Sequence, residues 1–237
     1  MVNYFAAMAE LADALDSGSS RGNPLEVRLL LAAMHTTAVV ANGQIDSYEI
    51  IRPLIARHPK VVAVDGGLIH CQKMGIRPHL IVGDFDSCPH SLLAQYQGIP
   101  QVVLPQDKNE TDLEVAIKEA GGKQITLYGA WGRRMDHSLA NALLLARWPI
   151  AMETETERVF AIDRQVTLPC FAGQTLSLIP LYGPVSGIAT QGLKWELRNG
   201  KMDQNFIGIS NICLGSQVEI SIQTGPLLCC MLKEGFT

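Results

Sequence analysis

The chain has 237 residues, of which 47% are hydrophobic and 18% charged, and its net charge is −4. These values fit a globular protein of one large domain or two small ones, and they offer no basic field to recommend a nucleic-acid partner. No apolar stretch approaches the roughly 20 residues of a membrane-spanning helix, so no membrane partner is expected. The first residues lack the charged start and small-residue cleavage site of a secretory signal, so a cytoplasmic location is expected. Cys71, Cys88, Cys170, Cys213, Cys229 and Cys230 form no C-x-x-C pair. They read as reduced thiols.

Residues 1–34 read as an extension, helical or partly disordered. Phe5, Met8, Leu11, Ala12 and Leu15 fall near helical spacing, and the polar run from Asp16 through Pro24 then breaks the pattern. Five short apolar runs follow. Ala38-Val39-Val40-Ala41 leads into Asn42-Gly43, Val61-Val62-Ala63-Val64 into Asp65-Gly66-Gly67, and Leu80-Ile81-Val82-Gly83 into Asp84-Phe85-Asp86-Ser87. Val102-Val103-Leu104 and Ile125-Thr126-Leu127-Tyr128 complete the set. Runs that are short, rich in β-branched residues and apolar at successive positions suit strands covered on both faces of a parallel sheet. Helical patterns intervene. Residues 111–120 open with a possible capping box, Thr111 and Glu114, and carry Leu113, Ala116, Ile117 and Ala120 on one stripe. Residues 138–147 place Leu139, Ala142, Leu143 and Ala146 on one face. The alternation predicts an N-terminal open, mostly parallel α/β domain over residues 35–150. Beyond Trp148-Pro149 the pattern changes to short β runs and turns. Thr175 to Ile179, Gly187 to Thr190, Leu193 to Leu197, Gln217 to Ile222 and Leu227 to Leu232 predict a small C-terminal all-β sandwich over residues 151–237.

In an open α/β sheet, ligands bind beyond the carboxyl ends of the strands, and that is where the polar motifs fall. Asp84 and Asp86 offer two hard oxygen donors suited to Mg²⁺, although an isolated Asp-x-Asp also serves as a polar turn closing a buried strand. Asp107-Lys108-Asn109-Glu110-Thr111-Asp112 opens a helix, where acids are favoured by the helix dipole in any case. A functional reading makes Asp112 a third carboxylate beside Asp84 and Asp86. Gly129-Ala130-Trp131-Gly132-Arg133-Arg134-Met135-Asp136-His137 is the most phosphate-like loop. Gly129 and Gly132 allow close approach, Arg133 and Arg134 supply planar donors, and Asp136 caps the next helix or orients a substrate group. Asp65, Gly66 and Gly67 read as a tight turn or as backbone bending around a nucleotide. Trp195 is either a core residue or an aromatic face for a flat, positively charged ring.

Asp65-Gly66-Gly67, Gly83-Asp84-Phe85-Asp86-Ser87, Thr111-Asp112, the Gly129 to Asn141 loop and Gly192-Leu193-Lys194-Trp195, taken in order, resemble the thiamine pyrophosphokinase (thiamine diphosphokinase) family. The likeness runs from about residue 37 to the C-terminus. It implies an α/β catalytic domain, a thiamine-binding β-sandwich, and a homodimer with active sites at its interface. It also implies the reaction of ATP with thiamine to give thiamine diphosphate and AMP. Asp84, Asp86 and Asp112 would hold one or two Mg²⁺ on the ATP phosphates. Arg134, helped by Arg133 or Lys108, would stabilise charge on the phosphate oxygens. Asp65, Gly66, Gly67, Gly129, Gly132, Asp136 and His137 would line the nucleotide site, and Trp195, Ser210 and Asn211 would contact thiamine. Two departures stand out. Arg133 occupies a position where the family has a small residue, and Ile212 and Cys213 follow Ser210-Asn211 where acidic or aromatic residues are expected. A pterin pyrophosphokinase and a non-catalytic nucleotide or thiamine sensor are the alternatives. A glycosyltransferase would leave the arginine loop and the β domain unexplained.

Overall fold

Short β-branched runs flanked by glycine and acid become strands. They are β1 (Thr37–Val40), β2 (Lys60–Val64), β3 (Leu80–Gly83), β4 (Gln101–Val103) and β5 (Ile125–Tyr128), all parallel to their neighbours. The structure is a computed structural model that describes residues 36–122 and 124–235, so the expected extension over residues 1–34 lies outside the described residues. Successive strand residues face opposite sides of the sheet. Val39, Val62, Val64, Val82 and Leu127 pack with Leu113, Ala116 and Ile117 on one side. Ala38, Val40, Val61, Ala63 and Ile81 pack with Ile51, Ile55, Leu68 and Met74 on the other. Apolar runs without alternation are the direct consequence of this double cover.

The covering helices are α1 (Tyr48–Ile55), α2 (Gly67–Met74), the short α3 (His90–Leu93), α4 (Asp112–Glu119) and α5 (Met135–Leu144). The capping box of α4 forms as expected. Thr111 accepts from the Glu114 amide, and the Glu114 carboxylate accepts from the Thr111 amide at 3.0 Å. The buried face of α5 differs from the expected one: Ser138, Ala142 and Leu144 are buried, whereas Met135, Leu139 and Leu143 are 71%, 50% and 48% exposed. Those three lie at i, i+4 and i+8, so they form one uncovered apolar stripe.

A sixth parallel strand, β6 (Ile150–Glu153), joins β5, and β7 (Glu157–Ile162) then pairs with β6 antiparallel. The remaining strands are β8 (Gln165–Pro169), β9 (Thr175–Ile179), β10 (Val185–Gln191), β11 (Gly200–Met202), β12 (Gly208–Ile212), β13 (Gln217–Ser221) and β14 (Leu227–Leu232). One ten-stranded sheet runs β12-β9-β14-β7-β6-β5-β1-β2-β3-β4, and a second runs β11-β10-β13-β8. The antiparallel end of the large sheet packs on the small one around Leu176, Leu178, Ile188, Val218, Ile220, Leu227 and Cys229. This is the C-terminal pair of β layers that the short β runs beyond Trp148-Pro149 predict. All six cysteines are free thiols. Leu193 to Leu197 is not the expected strand. Leu193 makes an isolated bridge to Cys213, and the Asn211 side chain takes over the backbone bonding of Trp195. Among the described residues, no helix is long and apolar enough to cross a membrane.

Beneath this sheet His58 Nε2 lies 3.0 Å from the Tyr128 hydroxyl. Burial pushes the His58 imidazole down to about 4, against a partial opposing pull from Glu153. The unfolded chain therefore takes up a proton near the ordinary value of 6.5, where the folded chain does not. The contribution is present above that pH and is lost as pH falls toward 4. Thermal melts across this interval should show a shallower acid decline for His58→Gln than for wild type, and parallel slopes would refute the assignment.

Candidate active site

Parallel strands deliver their following loops to one edge. In the order β5-β1-β2, the chain leaves β1 toward β2 on one side and returns through β5 on the other. Such a reversal opens a crevice beyond the strand ends. Here it is a cleft of about 620 Å³, lined by residues that follow β1 to β5.

Three carboxylates meet in it. Asp65 follows β2, Asp84 follows β3, and Asp86 stands one residue further on, and one oxygen from each lies within 4.8 Å of the others. Asp65 and Phe85 both hold positive φ, 47° and 63°. Left-handed backbone at non-glycine residues is costly and gathers at functional sites. The Asp65 amide donates to the Val82 carbonyl at 2.8 Å, which ties the two turns together. Ser87 Oγ donates to Asp65 Oδ2. Asp65 Oδ1 is buried and has no hydrogen-bond partner among the described residues. The neighbouring Asp84 carboxylate raises the pKa of Asp86 above its ordinary value, with smaller contributions from burial, Asp65 and Asp112. An orphaned buried carboxylate oxygen beside two mutually repelling acids is a donor set fit for a hard divalent cation, and an all-oxygen set suits Mg²⁺.

Asp112, at the start of α4, stands beside this triad. Its Oδ2 accepts from the Asp84 amide at 3.4 Å. Lys108 Nζ lies 2.7 Å from Asp112 Oδ1 and 3.5 Å from Asp84 Oδ2, and the bond to Asp112 raises the lysine's pKa. Lys108 is thus a fixed counter-charge within the cluster.

The glycine-arginine loop forms the opposite wall. Gly129 and Gly132 have φ of 59° and 81°, and a Cβ on Gly129 would sit 2.6 Å from the Ala41 carbonyl oxygen. Side chains are excluded there by both torsion and space. Arg133 also has positive φ, 64°, which gives a physical meaning to its departure from a small residue. Its Nη1 donates to Asn42 Oδ1 at 3.1 Å and to the Asn42 carbonyl at 3.3 Å. Arg134 pairs with Asp136 at 2.6 Å on the exposed rim and holds that carboxyl down to about 2. Arg133, Arg134 and His137 line the cleft, whereas Asp136 acts on it through Arg134. Gly66 and Gly67 pack α2 against β1, since a Cβ on Gly67 would meet the Val40 carbonyl oxygen at 2.0 Å, and of the three residues Asp65 faces the cleft.

The sequence motifs placed Asp65 with the nucleotide rather than with Asp84 and Asp86, and they include Asn42 and Ser87 without giving either a role. Asn141 also stands within the loop motif without a role; its Nδ2 braces the loop by donating to the Ala130 carbonyl at 2.7 Å. The available signal was position: Asn42 and Asp65 each stand just past the end of an apolar run.

Trp195, Ser210 and Asn211 come together elsewhere. The Trp195 amide donates to Asn211 Oδ1 at 3.1 Å, and Asn211 Nδ2 donates back to the Trp195 carbonyl at 2.8 Å. Ser210 has φ of 58°, and the Lys194 ammonium lies 4.7 Å from the Trp195 ring centroid. Trp195, Phe206, Ile207, Ile209 and Leu214 are exposed around this edge. β12, which carries Ser210 and Asn211, is eight strand steps from β3 in the sheet order. At about 4.8 Å per step that is roughly 40 Å, so one chain does not bring this group to its own acidic cleft.

Fold and site together define an α/β protein with a cleft at its strand ends lined by carboxylates on one side and arginines on the other, joined to a β-sandwich. Residues 51–158 match the family model described as thiamin pyrophosphokinase, catalytic domain, and residues 160–227 match thiamin pyrophosphokinase, vitamin B1 binding domain. Thiamine pyrophosphokinase 1 of Arabidopsis thaliana is 28% identical over 182 residues, covering 67% of each chain. The chain spans between about half and two thirds of the length of the plant relatives it matches. Among solved structures, thiamin pyrophosphokinase of Geobacillus thermodenitrificans is 26% identical with a TM-score of 0.72, covering 84% of this chain and 98% of that one. The Bacillus subtilis protein has the same fold at 23% identity, with a TM-score of 0.73 and coverage of 84% and 99%. The chain belongs to the thiamine pyrophosphokinase family, transferases that move the pyrophosphoryl group of ATP to thiamine.

The raised Asp86 pKa carries a sign. Without a cation, the folded chain keeps the Asp86 proton at a pH where the unfolded chain has released it, so stability falls as pH rises through that interval. Asp86→Asn removes the repulsion. In EDTA at neutral pH it should melt at a higher temperature than wild type, and a lower melting temperature would contradict the electrostatic picture.

Proposed function

We propose that this chain is a thiamine diphosphokinase whose acidic cleft holds ATP with Mg²⁺, and whose β-sandwich presents thiamine to the cleft of a second copy. The observation that carries the reading is the convergence of Asp65, Asp84 and Asp86, one carboxylate oxygen of each within 4.8 Å of the others, in a group where Asp65 also keeps a buried oxygen without a partner. Asp84 and Asp86, with Asp65, would hold the cation, and Asp112 stands next to them for a second. When bound, the metal neutralises charge on the phosphate oxygens and orients them. Arg134 and Arg133 line the other wall and would bind phosphate oxygens in fork geometry. Lys108, now shared between Asp112 and Asp84, gives a further cation on the same side. The thiamine hydroxyl oxygen forms a bond to the β-phosphorus, the bond from that phosphorus to the α-bridging oxygen breaks, and AMP leaves. The hydroxyl proton passes to a cleft aspartate.

The distance along the sheet supports a shared site. Trp195, Ser210 and Asn211 are too far from the acidic cleft of their own chain for thiamine to reach its β-phosphorus. Two uncovered apolar surfaces fit the same reading. One is the α5 stripe of Met135, Leu139 and Leu143 beside the arginine loop, and the other is the edge around Trp195 and Ile209. A twofold dimer that docks each on the other would bury both and complete two sites. The vitamin B1 binding match over residues 160–227 favours thiamine over a pterin acceptor, and the carboxylate triad favours turnover over ligand sensing. Absence of a spanning helix among the described residues is in keeping with a cytoplasmic enzyme.

Pure protein given ATP, Mg²⁺ and thiamine should yield thiamine diphosphate and AMP. Asp84→Asn should lower the rate by roughly 100-fold or more. A near wild-type rate would remove Asp84 from the metal set. Asp84→Asn and Trp195→Ala chains, each inactive alone, should recover about a quarter of wild-type activity when refolded together. Half of the dimers would be mixed, and each mixed dimer would hold one intact site of two. No recovery would contradict the shared site.

A further inference from the structure

We infer that Asn42 is a positioning residue that sets Asp65 for the cation and Arg133 for the phosphates at the same time. The inference rests on the cation-site reading above and adds to it a residue that neither the motifs nor the chemistry required. Asn42 lies between the two walls of the cleft. Its Oδ1 accepts from Arg133 Nη1 at 3.1 Å, and its Nδ2 donates to Ser87 Oγ at 3.2 Å. Ser87 Oγ in turn donates to Asp65 Oδ2. Every donor in this series points the same way, from guanidinium to carboxylate, so each bond polarises the next. The series leaves no choice about the amide orientation, because the guanidinium has no acceptor and the serine proton is committed to Asp65.

The consequence falls on Asp65. With Oδ2 engaged by Ser87, Oδ1 is the buried oxygen left without a partner, on a carboxylate that clusters with Asp84 and Asp86. The consequence for Arg133 is equally direct. A residue held at a φ of 64° keeps its guanidinium over the cleft because Asn42 grips it by both carbonyl and carboxamide. The carboxamide itself is fixed. The backbone on both sides of it is bonded to the β5 loop, through Ala41 to Tyr128 at 2.8 Å and Gly43 to Gly129 at 2.5 Å. The Gly43 carbonyl also accepts from the buried His70 Nε2 at 3.0 Å. A Cβ on Gly66 would lie 2.3 to 2.6 Å from the atoms of the Asn42 carboxamide. Glycine at position 66 therefore makes room for Asn42, which explains one of the paired glycines without any contact to a nucleotide.

The test uses Mn²⁺ alone, titrated into the full chain without nucleotide and read by electron paramagnetic resonance. Asn42→Ala and Ser87→Ala should each weaken Mn²⁺ binding by about tenfold or more, the usual cost of removing a partner that orients a metal ligand. The double variant should be no weaker than either single one, since both break the same series. Asn42→Ala should also weaken binding of a non-hydrolysable ATP analogue measured without metal, whereas Ser87→Ala should not. A single cooperative melt in EDTA for each variant, whatever its midpoint, separates these losses from general unfolding. Wild-type Mn²⁺ affinity in Asn42→Ala, or additive losses in the double variant, would overturn the inference. If Asn42→Ala does not fold, the Mn²⁺ affinity of Ser87→Ala decides the link to Asp65 alone. Failure of the wild-type chain to bind Mn²⁺ would overturn the cation site itself, a result distinct from undiminished binding in the variants.

Discussion

Carboxylates pressed together at the mouth of a parallel sheet repel one another, and the construction of the cleft follows from that repulsion. Asp65, Asp84 and Asp86 cannot move apart, because Asp65 and Asp84 begin the turns after adjacent strands β2 and β3 and the Asp65 amide is bonded to Val82. The raised proton affinity of Asp86 registers the strain. Lys108 offsets part of it from one side, and the donors arriving through Ser87 offset part from the other. What remains is the arrangement on which the proposed cation site rests: contacts that cost stability in the free protein would become affinity once a divalent cation is bound.

The second constraint is length. A continuous sheet of ten strands sets its two polar groups toward separate ends. Eight strand steps separate β12, whose Asn211 holds Trp195, from β3 and the chain's own aspartates. The apolar stripe on α5 makes sense in this light. Leu139 and Leu143 have helical spacing proper to a buried face, yet it is Ser138, Ala142 and Leu144 that the chain's own fold buries. An apolar face left over at the rim of one site, and another around the second, are the features expected where subunits meet.

Much of this was legible in the amino-acid sequence, for physical reasons. Double-sided burial leaves unbroken β-branched runs, so β1 to β5 could be read directly, and Thr111 with Glu114 announced the start of α4. Asp84 and Asp86 were legible because a strand end separates them by one residue. β6 was not, since Ile150-Ala151-Met152 follows Pro149 closely and resembles the tail of a helix. The run Leu193 to Leu197 misled because a side chain, Asn211, replaces the partner strand that its pattern calls for. The stripe on α5 misled in a different way: periodicity reports that a face is apolar, not which surface covers it. The grouping of Asp65 with Asp84 and Asp86, and the role of Asn42, were not legible because they depend on strand order in space, β2 beside β3 and β1 beside β2 and β5, which local patterns do not encode.

The central claim is that three acids from adjacent strand ends share one cation. Anomalous scattering from crystals grown with Mn²⁺ and a non-hydrolysable ATP analogue tests it most directly. The account predicts a peak within coordination distance of Asp65, Asp84 and Asp86 together, with the analogue's phosphates reaching toward Arg133 and Arg134. A cleft in which the nucleotide is bound and no metal touches that triad would contradict it.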